Sequence, residues 1–203
     1  MAISVVPVTA DRWDDLATFF GPTGAYGHCW CAYFRVRAKD FAASTSCAPP
    51  DRGRTNRAVL QRLTRNGDVP GLLGYAGGDA VGWVSVAPRE QFERILRSRT
   101  VNPAEPDESD VWSLVCFWIP ARRRRRGVGT ALLDGAVAYA RRRQARVVEA
   151  YPVDTAGEKR PSAEIYRGTV AMFRRAGFDI RPHPVSGRPI ARLSLVQRAS
   201  REP

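Results

Sequence analysis

The residues best suited to chemistry form an arginine-rich turn between a predicted strand and a predicted helix. Five arginines, Arg122–Arg126, follow an apolar run that ends at Ile119, and Gly127-Val128-Gly129 follows them. The first N–H groups of a helix have no intrahelical acceptor, and with the helix dipole they attract anions. Glycine lets the backbone approach a ligand closely, and guanidinium groups add charge-assisted hydrogen bonds. The turn therefore predicts a site for a phosphate or a diphosphate.

The spacing of the two glycines narrows the kind of site. It does not fit GxxxxGK[ST], so a P-loop is excluded, and it does not fit GxGxxG, so a Rossmann dinucleotide site is disfavoured. The remaining interpretation is an anion-binding site at the turn between the strand and the helix, around Arg124–Gly129, which we call the anion cradle.

The elements around this turn alternate between strands and helices. Predicted strands cover 3–8, 71–75, 81–86, 111–119, 146–151, 178–181 and 190–196. Predicted helices cover 11–20, 54–65, 90–97, 130–143 and 162–176. A Gly77-Gly78 turn joins the second and third strands as a hairpin. A hairpin followed by strands that alternate with helices predicts an α/β or α+β fold around a mixed sheet.

Length and composition indicate one globular domain. The chain has 203 residues, of which 44% are hydrophobic and 26% charged, and this balance excludes a disordered or fibrous protein. We predict a single domain over residues 1–203, with a surface loop at 98–110 and a flexible tail at 198–203. No apolar run approaches the ~20 residues of a membrane span, and no signal peptide is visible. Four cysteines without a CxxC pair indicate reduced thiols and a cytoplasmic location.

The formal net charge of +12 raises a second class of function, nucleic-acid binding. The arginines are spread over many segments, and no helix-turn-helix, zinc-finger or RRM signature is present. A basic nucleic-acid-binding domain is therefore kept only as an alternative.

The sequence resembles the GCN5-related N-acetyltransferases (GNAT), which carry [R/Q]-x-x-G-x-[G/A] between their fourth strand and third helix. The matching segment is Arg124-Arg125-Arg126-Gly127-Val128-Gly129, and Gly177-Phe178 follows the last helix. The order of elements matches over nearly the whole chain. The resemblance implies a mostly antiparallel, twisted sheet flanked by helices, with two central strands that splay apart. It also implies acetyl-CoA as cosubstrate and a homodimer as a possible assembly. The acceptor we expect is the primary amine of a small molecule, either an amino-acid-like metabolite or an antibiotic, and a protein amine stays open as an alternative.

The resemblance assigns the cosubstrate to two segments of the chain. The pyrophosphate is expected on backbone N–H groups near Arg125–Thr130, and the pantetheine arm along the strand edge at 117–119. The cofactor-binding residues so implied are Phe117, Trp118, Ile119, Arg124, Arg125, Arg126, Gly127, Val128, Gly129, Thr130 and Phe173.

One position departs from the family pattern. Many members have a tyrosine where this chain has Phe173, and that tyrosine protonates the leaving thiolate. Phe173 has no proton to give. Tyr166 stands about two helical turns earlier on the same predicted helix and is the candidate acid. A thiol with a pKa of about 8.5 can also leave unaided. The departure keeps open a catalytically inactive, CoA-binding module.

The reaction also requires a neutral amine, because a lysine-like amine with a pKa of about 10.4 is protonated at neutral pH. A general base must remove that proton directly or through water. We expect Glu149, in a strand next to the cosubstrate, to be this base. Glu108, Asp110 and His28 are alternatives.

The loop after the first helix is expected to build the acceptor pocket, as the family resemblance implies. This loop carries His28, Trp30 and Tyr33, which suit an acceptor with an apolar or ring-shaped surface. A zinc site from His28 and the nearby cysteines is disfavoured, because adjacent ligands are awkward and no C-x₂₋₄-C spacing exists. We expect no metal.

Overall fold

A computed structural model describes residues 2–98, 101, 103, 105–184 and 186–195. The strands are β1 Ser4–Pro7, β2 Leu72–Ala76, β3 Asp79–Pro88, β4 Val111–Trp118, β5 Val147–Ala150, β6 Asp179–Pro182 and β7 Pro189–Ser194. The α-helices are α1 Trp13–Phe20, α2 Ala38–Ser46, α3 Arg54–Arg65, α4 Glu93–Leu96, α5 Val128–Arg142 and α6 Val170–Arg175. The flexible tail predicted at 198–203 lies outside the described residues. No helix in the described ranges is long and apolar enough to cross a membrane.

The seven strands form one sheet in the order β1-β2-β3-β4-β5-β7-β6. Only β4 and β5 run parallel; every other neighbouring pair is antiparallel. The predicted mixed, mostly antiparallel sheet is confirmed. The hairpin turn is confirmed as well, because Gly77 and Gly78 have φ values of +60° and +86°, which only glycine adopts readily.

Helices cover both faces of the sheet, because side chains alternate along each strand. Leu72 packs in one cluster with Leu132 of α5 and Phe173 of α6. Its neighbour Leu73 packs on the opposite face with α1, α3 and the loop that follows α1. The amphipathic pattern of the α5 sequence is thus satisfied by burial across β1, β2 and β3.

The helix predicted over 162–176 is wrong in its first half, because α6 begins only at Val170. Gly168 has a φ of +82°, which interrupts any helix there. Thr169 then caps the new helix, and its side-chain oxygen accepts a hydrogen bond from the Met172 N–H at 3.3 Å. Tyr166 therefore lies in a loop and does not share a helix face with Phe173.

The helix α2 is not predicted from the sequence. Its segment is rich in Ala, Ser and Thr and has no clear apolar periodicity, so tertiary packing decides its conformation. The hydroxyl of Thr45 donates to the Phe41 carbonyl oxygen one turn earlier, at 3.0 Å. Both side chains are placed on one face of α2 by this spacing.

Candidate active site

The sheet opens between its two parallel strands. The ladder of β4 and β5 runs from Val111↔Val147 to Leu114↔Ala150 and then stops, although β4 continues to Trp118. Within β4 the register against β3 also shifts by one residue at Val115. The predicted splay of the central strands is confirmed, and it leaves one backbone edge of β4 without a strand partner beyond Leu114.

A cavity of about 730 Å³ lies at this opening. Three parts of the chain line it: the end of β4 with the start of α5, the loop after α1 together with α2, and the segment that leads into α6. The principal lining residues are Cys29, Cys31, Tyr33, Phe34, Phe41, Thr45, Cys116, Phe117, Trp118, Ile119, Arg124, Gly129, Ser162, Ile165, Tyr166 and Met172.

The start of α5 forms one end of the cavity. The Arg124 Nε donates to the Ile119 carbonyl oxygen at 2.8 Å, and its Nη1 donates to the Ser162 hydroxyl. Gly127 precedes the helix with a φ of +78°. A Cβ at Gly129 would lie 3.5 Å from the Ile119 side chain, so the cradle has room next to the helix N-terminus. These features fit a diphosphate group.

The other residues predicted for this cradle are placed differently. Arg125, Arg126 and Thr130 are exposed beside it, where their backbone N–H groups or side chains can face a bound anion. Val128 is buried in the core under the sheet. Its side chain is therefore structural, whatever its backbone binds.

The wall along β4 presents successive residues from both faces of the strand, because the cavity passes through the gap in the sheet. Cys116 packs toward the α1 side and Phe117 toward the α5 side. The Phe117 N–H points away from β3 and donates to the Tyr166 carbonyl oxygen at 2.6 Å. The segment after β5 thus crosses the gap at this point.

Two backbone hydrogen bonds join the two ends of this crossing segment. The Val153 N–H donates to the Gly168 carbonyl oxygen at 3.0 Å, and the Val170 N–H donates to the Val153 carbonyl oxygen at 3.1 Å. Between these bonds the chain makes an excursion that carries Ser162 and Tyr166 to the cavity. Burial raises the pKa of Tyr166 to about 12, so its phenol stays protonated at neutral pH.

Aromatic rings form the other end of the cavity. The Tyr33 ring packs edge-on against Phe34 and Phe41, with centroid separations of 4.9 and 5.2 Å. The Arg94 guanidinium lies 3.9 Å from the Tyr33 centroid and forms a cation–π contact. The prediction that Tyr33 lines the pocket agrees with this placement.

Three thiols lie beside these rings. The Cys31 and Cys116 sulfur atoms are 3.1 Å apart, and both residues line the cavity with Cys29. Burial raises the pKa of Cys29 to about 12. The hydrogen bond with Cys116, together with burial, raises the pKa of Cys31 well above its usual value. No group of side chains in the described ranges could hold a metal ion.

Two residues predicted to bind the acceptor lie elsewhere. Trp30 is buried in the core, where it stacks on Trp13 with 6.0 Å between ring centroids. A Cβ at Gly24 would lie 2.3 Å from the Trp30 indole nitrogen, so the loop folds tightly around this ring. His28 does not line the cavity, and its carbonyl oxygen accepts a hydrogen bond from the Asn56 side chain at 3.0 Å. Both residues support the conformation of the loop and do not line the cavity.

Glu149, predicted as the general base, also lies outside the cavity. It is fully buried in β5, opposite Arg192 of β7. Arg192 donates to one carboxylate oxygen, and the Tyr151 hydroxyl donates to the other at 2.6 Å. Arg89 lies 3.8 Å away and Arg192 also binds Glu108. A carboxylate so fully engaged with arginines has a structural role, and its geometry does not support base catalysis.

The alternative bases Glu108, Asp110 and His28 are likewise not among the lining residues. Asp110 is exposed and precedes β4, at the end of the strand remote from the gap.

Phe173, predicted to contact the cosubstrate, is fully buried and packs on Phe178 with 5.1 Å between centroids. It supports the wall of the cavity through Phe117, at 6.4 Å.

Several lining residues were missed by the sequence reasoning. Phe41 and Thr45 belong to the unpredicted helix α2. Ser162 and Met172 both lie in the segment 162–176, which the sequence predicts as one continuous helix without a role in the site. Phe41 and Thr45 are four residues apart in the sequence. This spacing predicts that they share a face only if the segment is a helix, and the sequence does not predict α2.

Comparison with known proteins agrees with this architecture. A family model described as the acetyltransferase (GNAT) family matches residues 30–178. No curated protein matches the sequence. Among solved structures, the PaiA N-acetyltransferase of Thermoplasma acidophilum in complex with coenzyme A has a TM-score of 0.54 at 8% identity, covering 96% of this chain and 99% of that chain.

Two further structures are similar over their full length. The polyamine N-acetyltransferase of Drosophila melanogaster, described as forming N-acetylagmatine, has a TM-score of 0.54 at 15% identity, covering 96% of this chain and 100% of that chain. The yncA protein of Salmonella typhimurium, solved with acetyl-CoA, has a TM-score of 0.52 at 15% identity, covering 100% of this chain and 99% of that chain. At these identities the similarity establishes the fold.

Proposed function

Because this chain belongs to the GNAT family of acetyltransferases, we propose that it transfers an acetyl group from acetyl-CoA to the primary amine of a small molecule. One observation carries this proposal. A single cavity joins Gly129 at the start of α5 to Tyr33 at the aromatic end, past the part of β4 that has no strand partner on this side. A thioester that enters from the α5 end would meet an acceptor that occupies the aromatic end.

The residues at the α5 end would hold the cosubstrate. Backbone N–H groups from Arg125 to Thr130 would bind the pyrophosphate, because they precede or open a helix of 15 residues. Gly129 keeps space free beside Ile119, and Arg124 adds positive charge at the cavity wall. Two of the similar structures are complexes with coenzyme A or acetyl-CoA, which supports this cosubstrate.

The edge of β4 would orient the reacting end. When bound, acetyl-CoA supplies a thioester carbonyl that the amine attacks directly. Phe117 and Cys116 flank the gap through which the two reactants meet, and the surrounding apolar side chains exclude water. Tyr166 is the proton-bearing group that the segment across the gap brings to this wall. With a pKa of about 12 it can donate a hydrogen bond to the leaving sulfur without losing its own proton.

Thermal unfolding with and without acetyl-CoA, at low and moderate salt, tests the proposal. Ligand at a hundred times its dissociation constant adds about 2.7 kcal/mol, and at roughly 2–4 °C per kcal/mol this shifts the Tm by about 5–10 °C. We expect this shift to survive added salt, and free thiol to be released when an amine acceptor is present. A folded sample without any shift would contradict the proposal, since phosphate-backbone binding of nucleic acid would then explain the basic surface better.

A further inference from the structure

The cavity lacks the groups that an alkyl amine requires. Among the lining residues that the structure describes, none is Asp, Glu or His. None of the candidate bases from the sequence is among the described lining residues: Glu149 and the half-buried Glu108 both bind Arg192, Asp110 precedes β4, and His28 is absent from the lining although it follows Gly27. The cavity therefore offers neither a counter-charge for an ammonium nor an acceptor for its proton.

Two ionisable groups of the cavity wall, Cys29 and Tyr166, are not bases at neutral pH. The thiol of Cys29 and the phenol of Tyr166 stay protonated, because burial raises both of their pKa values to about 12. Two cationic side chains contact the rings at the aromatic end: Arg94 lies over the Tyr33 ring at 3.9 Å, and Arg167 lies 5.8 Å from the Tyr166 ring centroid. The acidic neighbours Asp40 and Glu93 are paired with Arg37 and Arg97. A second cation placed against the same rings would be repelled by these two guanidinium groups.

An alkylammonium would therefore lose its hydration with no carboxylate in the described lining to neutralise its charge, and Arg94 already occupies a face of the Tyr33 ring. Burial of an unpaired charge is strongly unfavourable, so the group must first give up its proton. An amine with a pKa of about 10.4 is less than about 0.1% neutral at pH 7. An amine attached to an aromatic ring is a much weaker base, because the ring delocalises its lone pair, and it is neutral at this pH. Its ring also matches Tyr33, Phe34 and Phe41.

Resting on the function proposed above, we propose that the acceptor of this enzyme is an aromatic amine, with the amino group attached directly to a ring that packs at the aromatic end of the cavity. The nitrogen lone pair attacks the thioester carbonyl, forming the N–C bond. The C–S bond then breaks and the sulfur leaves with its electron pair. One proton leaves the nitrogen, and the sulfur is protonated, so the products are an N-aryl acetamide and the free thiol. No protein base is needed before the attack.

Aniline and benzylamine provide a matched test, because they carry the same ring and differ in the basicity of the amine. Agmatine represents polyamine-like acceptors. Release of free thiol from acetyl-CoA gives kcat/KM for each. We expect aniline to exceed benzylamine and agmatine by at least about tenfold at pH 7, and its kcat/KM to change little above neutral pH. The neutral fraction of an alkyl amine, in contrast, rises about tenfold per pH unit below its pKa.

A pair of variants tests the missing carboxylate directly. Tyr33→Glu adds an acidic group to the aromatic end, and Tyr33→Gln is the uncharged control of the same size. We expect the ratio of benzylamine to aniline turnover to be at least about fivefold higher in Tyr33→Glu than in Tyr33→Gln, since the added carboxylate can bind the ammonium. Equal ratios in the two variants count against the inference.

The outcomes separate this inference from the proposed function. Preference for benzylamine or agmatine at pH 7 overturns the aromatic acceptor and leaves the acetyltransferase intact. A Tm shift with acetyl-CoA but no turnover of any of the three amines also overturns the aromatic-amine acceptor. This result would indicate a protein that binds CoA but does not acetylate amines. Absence of both the shift and turnover overturns the proposed function itself.

Discussion

The backbone N–H of Phe117 donates to the carbonyl oxygen of Tyr166 across the gap between β4 and β5, with 2.6 Å between nitrogen and oxygen. Beyond Leu114 this edge of β4 has no strand partner. The bond fixes the segment that precedes α6 at the point where the sheet opens. It therefore places the Tyr166 side chain in the cavity wall, although Tyr166 belongs to no helix or strand.

Gly168 controls this crossing, and Gly168→Ala tests it. The φ of +82° strains any other residue, and a Cβ would lie 2.7 Å from the Phe173 ring, which is fully buried. We expect Gly168→Ala to lower the free energy of unfolding by about 2–4 kcal/mol, since backbone strain and overpacking add. Urea unfolding measures this loss.

Gly157→Ala is the matched control for this change. Gly157 lies in the same excursion with a φ of +84°, but its Cβ would meet nothing within 4 Å. It should lose only about 1 kcal/mol, from backbone strain alone. Equal losses in the two variants would show that the Phe173 contact is not what requires glycine at 168.

Gly129 allows a graded test of the cosubstrate site. A Cβ there lies in ordinary contact, 3.5 Å from Ile119 and 3.8 Å from Met172, so Gly129→Ala should fold and bind acetyl-CoA. Gly129→Val extends two methyl groups toward the lined space, and we expect it to weaken acetyl-CoA at least about tenfold, or 1.4 kcal/mol. Titration calorimetry compares the two, with the Tm of each free variant as the control for folding. Equal affinities would place the cosubstrate elsewhere.

Glu149 is expected to matter for stability and not for proton transfer. Glu149→Gln removes the carboxylate that the buried Arg89 faces and one of the carboxylates that Arg192 binds, so it should lower the free energy of unfolding by about 3–5 kcal/mol. Glu158→Gln breaks an exposed pair with Arg160 and should change it by less than about 1 kcal/mol. The pH dependence of residual activity is the second readout. If Glu149→Gln abolishes turnover while the protein remains folded, the structural assignment is wrong.

Glu108 gives the same network a dependence on pH. Burial by itself would raise the pKa of Glu108, but the hydrogen bond and charge of Arg192 outweigh it and hold the pKa below its usual value. A carboxyl with a lowered pKa stabilises the fold above its unfolded pKa of about 4.3 and loses this contribution as the pH falls through its folded pKa. Glu108→Gln should thus be less stable than the natural protein at pH 7, and the difference should shrink below about pH 4. A difference that stays constant with pH would contradict this coupling.

The local features of this protein follow from its sequence because they depend on neighbours in the chain. The Gly77-Gly78 hairpin, the apolar β4, and the α3 helix from Arg54 to Arg65 are where their patterns predict them. The Arg124–Gly129 turn is likewise a local feature, since the strand, the glycines and the helix start are adjacent in the chain, and anion binding there stays a prediction.

The roles of residues whose partners are distant in sequence are visible only in the folded protein. Glu149 is suited to base catalysis by type, but β7 places Arg192 against it and removes it from the cavity. An indole ring such as that of Trp30 could line an acceptor pocket, but Trp30 stacks on Trp13 and is buried in the core. Burial and charge pairing are set by contacts between elements, whereas sequence patterns report only on the element itself. That no carboxylate is found among the described residues that line the cavity is likewise a property of the assembled fold.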